Sequence, residues 1–223
     1  EQVSEDAPGP DTAQMAADAT YIELELPESG QKIPAKVVAV DYEANLALLE
    51  SPPSDKQKAF FAGLKPMGID VSARIGDAVS ILQTGRVGEL IESPLVINKV
   101  LNRRYIVEGS GFLVYEAIGI IRSEANSFTL PVVKNGKLVG LLLSYDSKNQ
   151  VTTILPAPII AHFLKDVADG SYEGFPGLGM EMQNTQDEQY REFLGLKPNA
   201  PGVFISAVVK GASADKAGMK KGD

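Results

Sequence analysis

A chain of 223 residues, 44% of them apolar, has enough material for one large core or two modest ones. The net charge of −8 argues against a nucleic-acid partner, which needs concentrated basic surface, and the densest basic spots, Arg103-Arg104 and Lys220-Lys221, read as solvated surface. With no cysteine and one histidine, a disulfide framework, a thiolate metal site and a multi-histidine site are all excluded, so no metal and no cofactor is expected; no apolar run reaches the ~18 residues of a membrane span.

Residues 1–11, acidic and rich in Pro and Gly, read as a flexible tail. From Tyr21 the pattern is β. "TYIELELP" alternates with Ile22, Leu24 and Leu26 on one face, and "KIPAKVVAV" and "NLALLES" follow as two more strands. "SPPSDKQKAFFAGLKP" interrupts them, with a short helix expected over Lys56 to Phe61. "GDAVSILQ", "GRVGELIE", "PLVINKVL", "RRYIVEG" and "GFLVYE" are each predicted as a short strand. "LPVVKNGKLVGLLLSYD" is a hairpin turning at Asn135-Gly136, and "QVTTILP" closes the β-rich section. The first clear helix is "APIIAHFLKDVADG", with Ile159, Ile160, Phe163, Leu164 and Val167 at helical spacing. A strand (Leu178 to Met182), a helix (Asp187 to Leu194), a strand (Val203 to Val209) and a helix start at Ser213 follow. About ten short strands without alternating long helices predict a β-barrel or sandwich, with a domain boundary near Gly170 to Gly177.

Two glycine patterns carry no chemistry. "GLKPMG" has Ile69-Asp70 where a phosphate loop needs Lys-Ser/Thr, and "GFPGLG" follows a helix where a dinucleotide fingerprint follows a strand. His162, beside the apolar stripe of its helix, reads as a structural histidine, because a general base must reach its nucleophile and be oriented by a third group.

Four segments, in order, carry a resemblance. "TAQMAADATYIELELPESGQKIPAKVVAVDYEANLALLES", "FLVYEAIGIIRSEANSFTLPVVKNGKLVGLLL", "TTILPAPIIAHFLKDVADGSYEGFPGLGMEMQ" and "APGVFISAVVKGASADKAGMKKGD" are similar to the first barrel, the nucleophile segment, the barrel exit and the PDZ stretch of the HtrA/Deg family of trypsin-like serine proteases. The resemblance implies an all-β fold, a trypsin-like double β-barrel over 12–170 with its first barrel incomplete as the sequence stands. It further implies the first part of an α+β PDZ domain over 171–223, stopping about midway.

It also implies where a triad would stand, and each position departs from what the chemistry needs. The family's histidine falls on Gln14 of "TAQMAAD", and an amide cannot accept a proton near neutral pH. The family's aspartate falls on Asn45 of "EANLALLE"; in trypsin-type enzymes an Asp-to-Asn change alone lowers turnover about 10⁴-fold. Anchored on Asn126-Ser127 the nucleophile is Ser127; anchored on Pro131, Phe128 takes its place, and both alignments stay open. Either way the two glycines that follow the family's serine are replaced, by Phe128-Thr129 or by Thr129-Leu130. Without glycine there, a reshaped oxyanion loop is expected.

The resemblance therefore implies a catalytically inactive protein that binds protein or peptide C-termini through its PDZ part and acts in extracytoplasmic, for instance periplasmic, protein quality control or assembly, as a homo-oligomer. Gly177, Leu178, Gly179 and Met180 match the family's carboxylate-capturing loop; read without the family, they are a Gly-rich interdomain turn. The alternatives are an active or residually active endopeptidase using Ser127, and a chaperone-like or structural module without a peptide groove.

Overall fold

A computed structural model of the chain describes residues 21–26, 29–85, 88–105, 111–122, 129–170, 172–197 and 201–223. Gln14, Ser127 and Phe128, and the expected tail at 1–11, lie outside the described residues. The chain divides into two compact units, the first ending at Gly174 and the second running Phe175–Asp223.

The first unit opens with an antiparallel sheet of β1 (Ile22–Leu26), β2 (Gln31–Asp41) and β3 (Leu46–Glu50), with β2 in the middle. The period-2 alternation buries Ile33 on the inner face, and Val38, the extra residue of a bulge between Val37 and Ala39, turns outward. Helix α1 (Asp55–Phe61) starts where Ser54 caps it, its hydroxyl accepting from the Gln57 N–H at 3.0 Å, and it buries Phe60.

Six strands then close a barrel in the order β4-β5-β6-β9-β8-β7: β4 (Ala78–Thr84), β5 (Leu90–Arg104), β6 (Gly111–Ile118), β7 (Pro131–Lys134), β8 (Lys137–Asp146) and β9 (Val151–Pro156). Val79, Ile81, Leu95, Ile97, Tyr115, Ala117, Val132, Val139, Leu142 and Ile154 fill its interior, one alternate set from each strand. Asn135 (φ 51°) and Gly136 (φ 73°) both adopt the left-handed conformation that a two-residue hairpin of type I′ demands.

The strands expected separately from "PLVINKVL" and the start of "RRYIVEG" are one continuous β5, which also takes in the end of "GRVGELIE". Pro94 argued for a break, since proline has no N–H to give a ladder. It sits where β5 has a partner on one side only: Pro94 faces Ser80 of β4, and pairing with β6 begins at Val96. A bulge between Ile97 and Lys99 then bends the strand from one neighbour to the other.

Helix α2 (Ala157–Ala168) leaves the barrel directly from β9, with its apolar stripe burying Ala157, Ile160 and Phe163 against β8, β9 and β3. The second unit contains β10 (Met180–Asn184), α3 (Glu188–Phe193), β11 (Val203–Val208) and α4 (Ser213–Lys216). Among the described residues β10 pairs with β11 alone, so its other edge is open.

Candidate functional site

Asn45 ends the turn between β2 and β3, at φ 56°. Asparagine tolerates this left-handed conformation better than most residues. The turn is held by Asp41, a buried carboxylate at the end of β2 whose Oδ1 accepts the Ala44 N–H at 2.7 Å. Asn45 is thereby fixed at the edge of a cleft of about 170 Å³, whose other walls are Arg103 and Tyr105 near the end of β5, Val114 of β6, Ser144 of β8 and Thr153 of β9. The position singled out from sequence thus stands where the first sheet meets the barrel's outer face.

Arg103 is more than the solvated surface charge expected from sequence. It donates through Nη2 to Oε1 of Glu116, and Lys99 stands 3.5 Å from Glu116 Oε2. Glu116 is buried on β6, so two half-exposed cations neutralise a carboxylate that could not otherwise be withdrawn from water. The signal missed in the sequence was the pairing of Lys99 with Glu116 and of Arg103 with Phe112 across β5 and β6. That register brings the basic residues over the acidic one. Tyr105 packs on Phe112 with ring centroids 4.9 Å apart and donates its hydroxyl to the Leu113 carbonyl at 2.8 Å; burial pushes its ionisation far above the usual phenol range.

The segment that carries Ser127 is bounded by described residues on both sides. Before it, the Arg122 N–H donates to the hydroxyl of the fully buried Ser93 at 2.8 Å. After it, the Thr129 N–H donates to the Leu142 carbonyl at 3.0 Å, and the Leu142 N–H to the Leu130 carbonyl at 2.8 Å. Thr129 has φ 65°, the left-handed conformation that glycine adopts freely and a β-branched residue adopts at a cost. At this residue the backbone has the shape that glycine adopts freely.

His162, the single histidine of the chain, lies on the exposed side of α2, its Nε2 3.3 Å from the Gly174 carbonyl. Its helix has the predicted register, and its neighbour Phe163 takes the buried place. Among the described residues no group of three or more His, Cys, Asp or Glu could hold a metal ion. No helix among them is long and apolar enough to cross a membrane.

In the second unit, Gly177 and Leu178 precede β10 and Leu178 is exposed. Gly179 has φ 68°, and a Cβ there would collide with Ala212 Cβ, so glycine is required on two counts. The carbonyls of Leu178 and Gly179 are taken by Ala214 N–H (2.9 Å) and Val209 N–H (2.8 Å). The four residues thus form a loop tied to the end of β11 and to α4, with Met180 opening a strand whose second edge has no strand partner among the described residues.

No family model matches the chain. Relatives and solved structures do. It is 25% identical over 199 residues to "Protease Do-like 4, mitochondrial" of Arabidopsis thaliana, covering 88% of this chain and 37% of that protein. It is 24% identical over 209 residues to "Protease Do-like 2, chloroplastic" of the same plant, covering 92% and 33%. The chain thus spans about a third of the length of the curated relatives it matches. Among solved structures, the HtrA-type protease AlgW with a decapeptide superposes with a TM-score of 0.63 at 19% identity, covering 94% of this chain and 62% of that one. The chain is mostly β, its closed barrel has the trypsin-like fold of an HtrA protease, and it has homologues among the Do-like proteases.

Proposed function

We propose that this chain is a catalytically degenerate relative of the HtrA/Deg proteases, kept for binding. The observation that carries the reading is Asn45, a neutral amide at the turn against the barrel, at the position that the resemblance matches to the carboxylate of a trypsin-type mechanism. A carboxylate there orients an imidazole and stabilises the imidazolium; an amide does neither. Gln14 in the histidine's place supplies no base, and the single histidine, on α2, has its Nε2 on the Gly174 carbonyl. A serine at 127 without a base is a weak nucleophile.

Binding falls to the second unit, Phe175–Asp223, read as lying within the first part of a PDZ domain over 171–223. The loop of Gly177, Leu178 and Gly179 leads into β10 at Met180, and the edge of β10 that is open among the described residues can accept an extended peptide as an added strand, with its C-terminal carboxylate at the loop. AlgW was solved with peptides. The expected setting is an extracytoplasmic compartment, as a homo-oligomer engaged in protein quality control or assembly, with protein or peptide C-termini as partners.

Labelling with a fluorophosphonate probe, beside cleavage of unfolded casein, tests the reading. Neither signal is expected above that of an S127A control. Labelling of the wild type that disappears in Ser127→Ala would instead establish a working endopeptidase, the reading that the relatives' names favour. Binding is tested separately by fluorescence polarisation with peptides bearing free or amidated C-termini; binding of the free form alone is expected, and no binding by either form would leave a structural module.

A further inference from the structure

The last residues of the first unit fold back on its first sheet. Tyr172 sets its ring edge-on against Phe163 of α2, centroids 5.8 Å apart at 78°, and its hydroxyl donates to Oδ2 of Asp41. Asp41 is the carboxylate whose other oxygen holds the Ala44 N–H and so the turn that bears Asn45. The strap is pinned on its far side as well: Asp166, buried on α2, accepts the N–H groups of Glu173 (3.0 Å) and Gly174 (2.7 Å) through Oδ2. Asp41, remote in sequence, is thus joined through Tyr172 to a strap that Asp166 holds by the backbone of the two residues after Tyr172.

The arrangement is asymmetric. Glu173 and Gly174 are held through their backbone, and the Tyr172 ring by packing. Among the described residues, the bond from the Tyr172 hydroxyl to Asp41 is the hydrogen bond that joins the strap to the β2–β3 turn. The turn has little apolar material of its own: Ala44 is fully buried, whereas Tyr42 and Glu43 are exposed. A hydrogen bond to a buried carboxylate is among the stronger polar contacts available to it.

We propose that Tyr172 is a latch whose hydroxyl, by binding Asp41, keeps the Asn45 turn closed against α2, and whose release opens the turn while the barrel stays folded. The closed turn places Asn45 at the cleft; the open one removes that wall. Tyr172 is a positioning residue acting through Asp41, and the latch does not rest on whether the site beside it is catalytic.

The absence of cysteine from the chain supplies the test. Ala44 and Ala117 are both fully buried, the first in the turn and the second inside the barrel. A44C and A117C therefore give single thiols that react with dithiobisnitrobenzoate only on opening. Tyr172→Phe keeps the ring on Phe163 and removes the hydroxyl. It is expected to speed labelling of A44C by about tenfold or more, the size of a lost hydrogen bond to a charged group, and to leave A117C within about twofold. On an Asp41→Ala background the same change should add nothing to the A44C rate. Unchanged A44C labelling, or equal acceleration of both thiols, would overturn the latch, the second outcome making the hydroxyl a general stabiliser. Amide exchange at Ala44 in Y172F alone repeats the measurement without an introduced thiol, with the same expected and overturning results.

Discussion

The closed barrel and the three-stranded sheet in front of it solve the same problem with different materials. The barrel buries an apolar side chain from each of its six strands in one shared interior, so its edges and its core are satisfied together. The sheet contributes nothing to that cluster. Its own buried set mixes Ile33 and Ala44 with Asp41 and, just after β3, Ser51, and it is fastened by a carboxylate to a tyrosine 131 residues away. Apolar burial is spread over many contacts and is lost gradually on truncation, whereas a polar fastening rests on a few atoms. Positional control over Asn45 is therefore concentrated at Asp41 and Tyr172, and resistance to unfolding in the barrel.

The largest expected effect lies in the barrel. Ile97, with no exposed surface, sits at the centre of the cluster, and Ile97→Ala should cost roughly 2–5 kcal/mol in chemical denaturation, through lost burial and the cavity left behind. Asp41→Ala removes a buried acceptor from Ala44 and Tyr172 and should cost about 2–3 kcal/mol, with amide exchange accelerated first in residues 42–46. If the aspartate change destabilised the molecule as uniformly as the isoleucine change, the division between the two regions would fail. A smaller effect of opposite sign is expected at the barrel's rim. Thr129→Gly relieves a β-branched residue held at φ 65°, and should stabilise by about 1 kcal/mol, the relief from left-handed strain net of glycine's greater chain entropy. A loss of stability would mean that the threonine side chain offsets its own strain.

What could be read in the sequence follows the same division. The barrel's strands, the Asn135-Gly136 hairpin and the register of α2 are written in local periodicity, and they stand where alternation, turn chemistry and i, i+3, i+4 spacing put them. The continuity of β5 was hidden because Pro94 is locally a breaker and becomes acceptable only through its one-sided pairing. Asn45 was expected to open the strand "NLALLES" and instead ends the turn before it, and its cleft is built by Arg103, Val114, Ser144 and Thr153, which no local pattern links to it. The partnership of Asp41 with Tyr172, and that of Glu116 with Lys99 and Arg103, are tertiary facts. Each acidic residue, read alone, is an ordinary surface charge, because nothing short of the folded topology says that it is buried.

The smallest expected effect separates the two regions by their response to pH and salt. Tyr105 in the barrel region is held above its ordinary ionisation range by burial; Tyr172 is raised by burial first, then by its hydrogen bond to Asp41 and by the charges of Asp41, Asp166 and Glu43. In both cases the folded chain keeps the phenol proton at a pH where the unfolded chain, with its tyrosines near 10, has released it. Stability should therefore fall as pH rises from about 10 toward the folded values, and be insensitive to these groups below that interval. Denaturant midpoints at pH 9 and pH 11 measure the fall, and Tyr105→Phe and Tyr172→Phe should each remove a part of it. Added salt distinguishes the parts: it screens the carboxylates around the half-exposed Tyr172 and leaves the burial of Tyr105 unchanged. The share of the alkaline loss removed by Y172F should thus shrink in about 1 M NaCl, while that removed by Y105F holds. Equal salt dependence of the two shares would mean that Tyr172 is governed by burial alone, and that the sheet is fastened in the same way as the barrel.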